Sequence, residues 1–209
     1  GYRQSYFNGM QSILAWSRKA QLGTFVYTGS TSVYSQDGGV AVDENSSAEP
    51  SNDRAALLLE TEDIVRASTT FGRWFILRLA GIYGPGRHYI LDQVRSEQAL
   101  AGSGAHRLNL AHRDDICSAI WKTFEAPRQV ANEVFNVCDD APTPKAELAV
   151  WLADRLNLPA PRFDPTLSSV RRRTVPDRVI LNAKIKQLLG WQPAYPDYRA
   201  GYAEILSAL

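Results

Sequence analysis

The chain is poor in the residue types that announce redox or metal chemistry. Its 209 residues hold two cysteines, Cys117 and Cys138, and three histidines, His88, His106 and His112. Two thiols build no disulfide framework, and their spacing fits no metal or redox motif. The histidines lack ligand spacing as well, so no metal is expected. Both cysteines read as buried and reduced, in a cytoplasmic protein. Charge of one sign is also missing, since 23 basic and 22 acidic side chains leave a net charge of +1. That balance argues against nucleic acid or an anionic membrane as a partner. No apolar run approaches the roughly 20 residues that span a bilayer, and no signal-peptide pattern is present. Methionine is scarce too: Met10 is alone, and the chain begins Gly1-Tyr2-Arg3.

What remains is an ordinary globular mix, 44% hydrophobic and 22% charged, of a size that suits one domain or one domain with a small lobe. Two stretches organise it. Trp74–Leu79 is apolar except for Arg78 and has the length of a buried strand. It runs into Ala80-Gly81-Ile82-Tyr83-Gly84-Pro85-Gly86-Arg87, a loop that brings bare backbone close to a neighbour. Thr24–Tyr27 is a second short strand, followed by Thr28-Gly29-Ser30-Thr31-Ser32, whose hydroxyls can line a cleft. Ligands of open parallel sheets bind off the carboxyl ends of strands, so these two junctions are candidate walls of one site. Tyr83 and Arg87 are then candidates to touch a substrate, and either can equally pack or reach solvent.

Along the chain, residues 2–20 read as a helix with Tyr6, Met10, Ile13 and Leu14 on one face. Residues 35–53 are polar and rich in turn formers, and read as an exposed loop. Ser51 or Asp53 is the expected cap of a helix whose buried face is Leu57, Leu58, Ile64 and Val65. Gly72 is expected to end that unit. Ile90–Leu100 reads as a helix and Arg107–Leu110 as a short strand. Asp114 and Asp115 open a helix with Ile116, Ile120 and Phe124 inward. Glu133–Cys138 is the third clear strand. Thr143 is expected to cap a helix with Pro144 at its first position. Residues 157–176 read as irregular and include the run Arg171-Arg172-Arg173, a candidate for a diphosphate or a solvated face. Alternation of strand and helix argues for parallel βαβ units.

Several of these stretches together resemble a family. Val26–Tyr34, Arg78–Arg87, Asn109–Asp115, Asn136-Val137 and Leu189-Gly190-Trp191-Gln192-Pro193 are similar to motifs of the extended short-chain dehydrogenase/reductases, the NAD-dependent epimerase/dehydratase group. The resemblance implies an α/β fold, a Rossmann-like doubly wound parallel sheet with a small C-terminal substrate lobe. It divides the chain into a core at 1–82 and 113–142 and a lobe at 83–112 and 143–209. It implies NAD or NADP as cofactor, with Thr28, Gly29 and Leu79–Ile82 (Ala80 and Gly81 between) beside it. Ser30 falls where the family polarises the reacting oxygen. Gly84, Arg87 and Arg113 fall where substrate would be held, the substrate being a nucleotide sugar or related small molecule. A homodimer is compatible with this reading.

Two departures matter. The glycine-rich loop that cradles the pyrophosphate at a helix N-terminus is not in this sequence, so an upstream Rossmann half is expected. The family's Tyr-x-x-x-Lys pair precedes a glutamate at fixed spacing, and counted back from Glu60 those places hold Asn52 and Ala56. Proton exchange would then fall to a substitute acid such as Tyr83 or His112. The alternative is a dinucleotide-binding or sensing module that has lost hydride transfer.

Overall fold

The computed structural model describes residues 1–20, 22–167 and 176–208. A π-helical turn, Gln4–Asn8, runs into α1 (Gly9–Ser17), and β1 (Leu22–Ser30) follows. Next come β2 (Val40–Val42), α2 (Asp53–Arg66), β3 (Phe71–Leu79) and β4 (Gly81–Tyr83). The chain continues through α3 (Tyr89–Arg95), β5 (Leu100–Ala101), β6 (Arg107–Leu108), β7 (Leu110–His112) and α4 (Arg113–Glu125). After β8 (Glu133–Val137) and β9 (Thr143–Pro144) come α5 (Lys145–Arg155), β10 (Phe163–Asp164), β11 (Arg178–Ile180), α6 (Ala183–Leu189) and α7 (Tyr198–Ser207).

The central sheet is β1-β3-β8, all parallel. Side chains alternate across it as the pleat requires. Phe75, Leu77 and Phe135 face α4 and α6, meeting Ile116, Ala119 and Ile185. Tyr27 and Ile76 face α1 and α2, meeting Met10 and Val65. Helices on both faces explain why the three strands are near-continuous apolar runs. A second core joins Tyr83, Leu91, Leu110, Leu148, Leu152, Tyr198 and Tyr202. The stretch around β11 and α6, expected within the lobe, instead sends Ile180, Ile185 and Trp191 into the first core.

Several local expectations need correction. The cap of α2 is Asn52, whose Oδ1 accepts from Ala55 N at 3.0 Å. Gly72 does not end a unit; it lies inside β3, where an added Cβ would stand 2.8 Å from Gly23 O. The 35–53 loop is not wholly exposed, because β2 pairs with β11 and buries Val42. Pro144, not Thr143, occupies the cap position of α5, and the Thr143 hydroxyl donates to Ala141 O at 2.7 Å. The 157–167 stretch includes β10, which pairs with β5, and this pairing takes Leu100 out of α3. Of the face expected to be buried in the first helix, only Met10 is buried: Tyr6, in the π-helical turn, and Ile13 are exposed, and Leu14 is half-buried. Phe124 is exposed, and Arg73 closes the end of α4 by donating to Phe124 O and Ala126 O. A cation there meets the negative end of the helix dipole. Both cysteines are free; Cys138 is buried, but Cys117 is on the exposed side of α4.

Candidate functional site

Ser30 and Leu79 are register partners at the carboxyl ends of β1 and β3. The two candidate walls therefore lie side by side on one edge of the parallel sheet. Ser30 is half-buried, and its Oγ accepts from Ser32 N at 3.2 Å, which leaves the hydroxyl proton for another acceptor. Thr28 is exposed, and Gly29 is half-buried above the Glu62 carboxylate. Across from them Leu79 and Ala80 are buried and Ile82 is half-buried, while Gly81 is exposed. Ala80 N donates to Val137 O at 3.0 Å and Gly81 N to Asn109 O at 2.8 Å. A Cβ on Gly81 would lie 2.9 Å from Asn109 O, so the close approach of β4 to β7 requires glycine there.

A buried polar network stands beneath this edge. Arg78 forks onto Glu62, Nε to Oε1 at 3.0 Å and Nη2 to Oε2 at 2.7 Å. Its Nη1 donates to the Tyr34 hydroxyl at 2.8 Å, which donates to Asn136 Oδ1 at 2.9 Å. Asn136 N donates to Glu44 Oε1 at 2.7 Å. Burial opposes the charge of Arg78, yet the Glu62 carboxylate holds its pKa above the ordinary value. Burial also pushes the Tyr34 hydroxyl and the Glu44 carboxyl upward. Sequence reasoning passed over Glu62, because a glutamate on an amphipathic helix reads as surface. Glu62 is fully buried, whereas Glu60 is exposed and paired with Arg3 at 2.7 Å.

Tyr83 and His112 are brought together, but away from solvent. They are register partners in β4 and β7, with ring centroids 5.1 Å apart, and are 3% and 0% exposed. Tyr202 stacks on Tyr83 at 5.1 Å, and Tyr195 lies against His112 at 3.9 Å. Among the described residues, neither the Tyr83 hydroxyl nor His112 Nε2 has a hydrogen-bond partner. Burial, reinforced by the Asp139 carboxylate, pushes the Tyr83 hydroxyl far above its ordinary range. Burial likewise pushes the Asp139 carboxyl up to about 8.

His112 also begins α4, its Nδ1 accepting from Asp114 N at 3.4 Å. His112, Asp114 and Glu204 have ligand atoms within 4.8 Å of one another. The Nδ1 lone pair is used at the helix start, which puts the ring proton on Nε2, 3.7 Å from Glu204 Oε2. Arg113 already supplies a cation there, bonding Asp114 at 2.9 Å and Pro85 O at 3.3 Å. The arrangement suits a charge network better than a metal. Gly84 and Arg87 close a tight turn through paired backbone bonds of 3.1 and 2.9 Å, and the exposed Arg87 donates to Ile82 O at 3.2 Å.

Asn52 is exposed and occupied as a helix cap. Ala56 lines a groove of about 680 Å³ with Tyr2, Arg3, Asp53, Arg54, Leu57 and Glu60. Arg54 lies over the Tyr2 ring and donates to its hydroxyl at 2.6 Å. Arg171–Arg173 lie outside the described residues. Among the described residues, no helix is long and apolar enough to cross a membrane.

Comparison with known proteins agrees with this geometry. The chain is 29% identical over 197 residues to Protein YeeZ of Escherichia coli strain K12, a match covering 92% of this chain and 66% of that relative's length. It is 30% identical over 155 residues to a 3-diazoavenalumate denitrifying reductase from a Streptomyces species, covering 68% of this chain and 49% of that protein. A solved structure of a putative NAD-dependent epimerase/dehydratase from Methylobacillus flagellatus superposes with a TM-score of 0.80 at 30% identity, over 99% of this chain and 72% of the other. The model of the NAD dependent epimerase/dehydratase family matches residues 2–138. A Rossmann-like parallel sheet with Ser30 and Gly81 at one edge, and a family match over most of the chain, make this chain a member of the NAD dependent epimerase/dehydratase family.

Proposed function

We propose that the protein is an NAD(P)-dependent oxidoreductase of the epimerase, dehydratase or reductase type. Its substrate is a nucleotide sugar or a related small molecule. The observation that carries this reading is the register pairing of Ser30 with Leu79, which sets a hydroxyl donor beside the bare backbone of Ala80–Ile82. These residues fit a flat nicotinamide ring: Gly29 and Gly81 carry no side chain, and the Gly81 edge is exposed. When bound, the nicotinamide gives or takes a hydride. Thr28, Gly29 and the Leu79–Ile82 backbone would hold it, and Ser30 would polarise the substrate oxygen. Gly84, Arg87 and Arg113 would line the substrate side. Similarity to a reductase favours reduction within this class.

The buried partner of Arg78 is Glu62, which makes Glu62 the better origin for counting the family's tyrosine and lysine places. Those places then hold Arg54 and Leu58 rather than Asn52 and Ala56, and neither count supplies a tyrosine or a lysine. General acid–base help is typically worth about 10²–10⁴-fold, so slow turnover is expected. Tyr83 and His112 are buried behind α7, and we assign them to shaping the Gly84–Arg87 turn.

The second reading is a cofactor-sensing module, favoured by the lack of a tyrosine and a lysine at either count. The test incubates the full-length protein with NADH or NADPH and follows cofactor oxidation over a panel of nucleotide sugars and aromatic substrates. Turnover lost in Ser30→Ala supports the enzyme. Cofactor binding without turnover supports the sensor, and no cofactor binding sinks both.

A further inference from the structure

The two walls of the site are held in place by a strand that belongs to neither. β11 pairs with β2, Arg178 opposite Val40 and Ile180 opposite Val42. Its first residue, Arg178, is 6% exposed. The Arg178 guanidinium donates to Thr31 O at 3.0 Å and to Gln36 O at 3.5 Å. Thr31 is the neighbour of Ser30, and its carbonyl also accepts from Tyr34 N at 3.2 Å. The other side of β11 is clasped by Asn109, whose Nδ2 donates to Arg178 O at 3.0 Å and whose Oδ1 accepts from Ile180 N at 2.7 Å. Asn109 O in turn accepts the Gly81 amide at 2.8 Å. The path Ser30–Thr31–Arg178–Asn109–Gly81 is continuous in hydrogen bonds and covalent links.

We infer that Arg178 is a positioning residue for the Ser30 hydroxyl, and that it fixes the Ser30 loop relative to the Gly81 wall. This rests on the enzymatic reading above. The chemistry calls for an arginine, since only a fork of donors on a long stem reaches two carbonyls five residues apart. Neighbouring bonds keep the segment in register: Asp177 N donates to Asp37 Oδ1 at 2.6 Å, and Gly39 N donates to Asp177 O at 2.7 Å. A small displacement of a reacting group can cost about 10²-fold in rate, so a residue that touches no substrate can still control turnover.

The first test needs no activity. Amide hydrogen exchange is measured on the full-length protein and on Arg178→Met. Exchange at Ser32 and Tyr34 should quicken about tenfold, as expected for losing one charged hydrogen bond, with Phe75 and Ile76 in β3 unchanged. Arg178→Lys should restore part of the protection. Unchanged exchange at Ser32 and Tyr34 overturns the inference. So does equal quickening across β3, which would make Arg178 a stability residue only. The second test uses turnover: Arg178→Met should lower kcat up to about 10²-fold and leave the cofactor dissociation constant within about threefold. In a Ser30→Ala background it should have no further effect, and full additivity overturns the inference. If the unaltered protein fails to bind cofactor, the enzymatic reading fails, and the exchange result still decides what Arg178 holds.

Discussion

Gly201 of α7 faces the hydroxyl of Tyr83, and a Cβ at that position would stand 2.7 Å from two of the tyrosine ring carbons as well as striking the hydroxyl. The helix therefore docks by letting the ring come up against its backbone. Gly201→Ala should destabilise the fold by about 1–3 kcal/mol through overpacking, seen as a lower melting temperature. Tyr83→Phe removes a buried hydroxyl that has no partner among the described residues. It should leave stability unchanged or raise it by about 1 kcal/mol. A melting temperature that falls sharply in Tyr83→Phe would reveal a bond to that hydroxyl. Loss of turnover at unchanged stability would restore Tyr83 as the acid.

Asp139 gives a signed dependence on pH. Its folded pKa is about 8, because burial disfavours the carboxylate. The ordinary value is near 3.9. Between these limits the unfolded chain releases a proton that the folded chain retains, so stability falls as pH rises and levels off above about pH 8. Asp139→Asn removes that slope. The melting-temperature gain of the variant should therefore grow from about pH 5 to about pH 8 and then stay constant. A difference that does not vary with pH would mean the carboxyl is better solvated than its surroundings imply.

The Glu62–Arg78 fork is almost wholly buried, with side chains 0% and 4% exposed. Glu62→Gln or Arg78→Met alone leaves a charge without its partner and should cost about 3–5 kcal/mol. Arg66 also reaches Glu62 at 2.7 Å, so it will soften the effect of losing Arg78. The double variant should lose clearly less than the sum of the two. Additive losses in chemical denaturation would show that the two residues act independently.

Asn52 as a cap predicts a small and purely structural effect. Asn52→Ala should cost about 1 kcal/mol, and Asn52→Asp should cost little. Neither should alter the cofactor dissociation constant. A cofactor affinity weakened tenfold in Asn52→Ala would place the residue in the binding site instead.

The strands of the central sheet were legible because helices cover both faces, which leaves near-continuous apolar runs at 24–28, 74–79 and 133–138, broken by Arg78 and Asn136. Their true ends lie further out, at Leu22 and Phe71, since the ladder continues through residues with one wet face. The junctions at Ser30 and Gly81 were legible as well, because glycine and hydroxyl residues cluster just past the strands. What escaped was whatever depends on a partner far along the chain. β2 and β11 have three residues each and no periodicity of their own, and they exist because they pair. Asn52 was hidden between Ser51 and Asp53, each chemically fit to cap. Arg178 reads as one more surface arginine until Thr31 O is seen against it.

The pairing of β2 with β11 also bears on how the protein is made. Val42 waits for Ile180, its register partner, which a ribosome adds 138 residues later. Contacts of such long sequence separation form late, after the cost of closing the loop between them has been met. During synthesis β1, α2 and β3 can associate as a local unit, while the stretch after Ser30 stays unset. The Ser30 edge would then mature only once residues 176–181 have left the ribosome. A chain truncated before them would lose both the Arg178 bond to Thr31 O and the Ile180, Ile185 and Trp191 side of its core, leaving its candidate catalytic serine less firmly held.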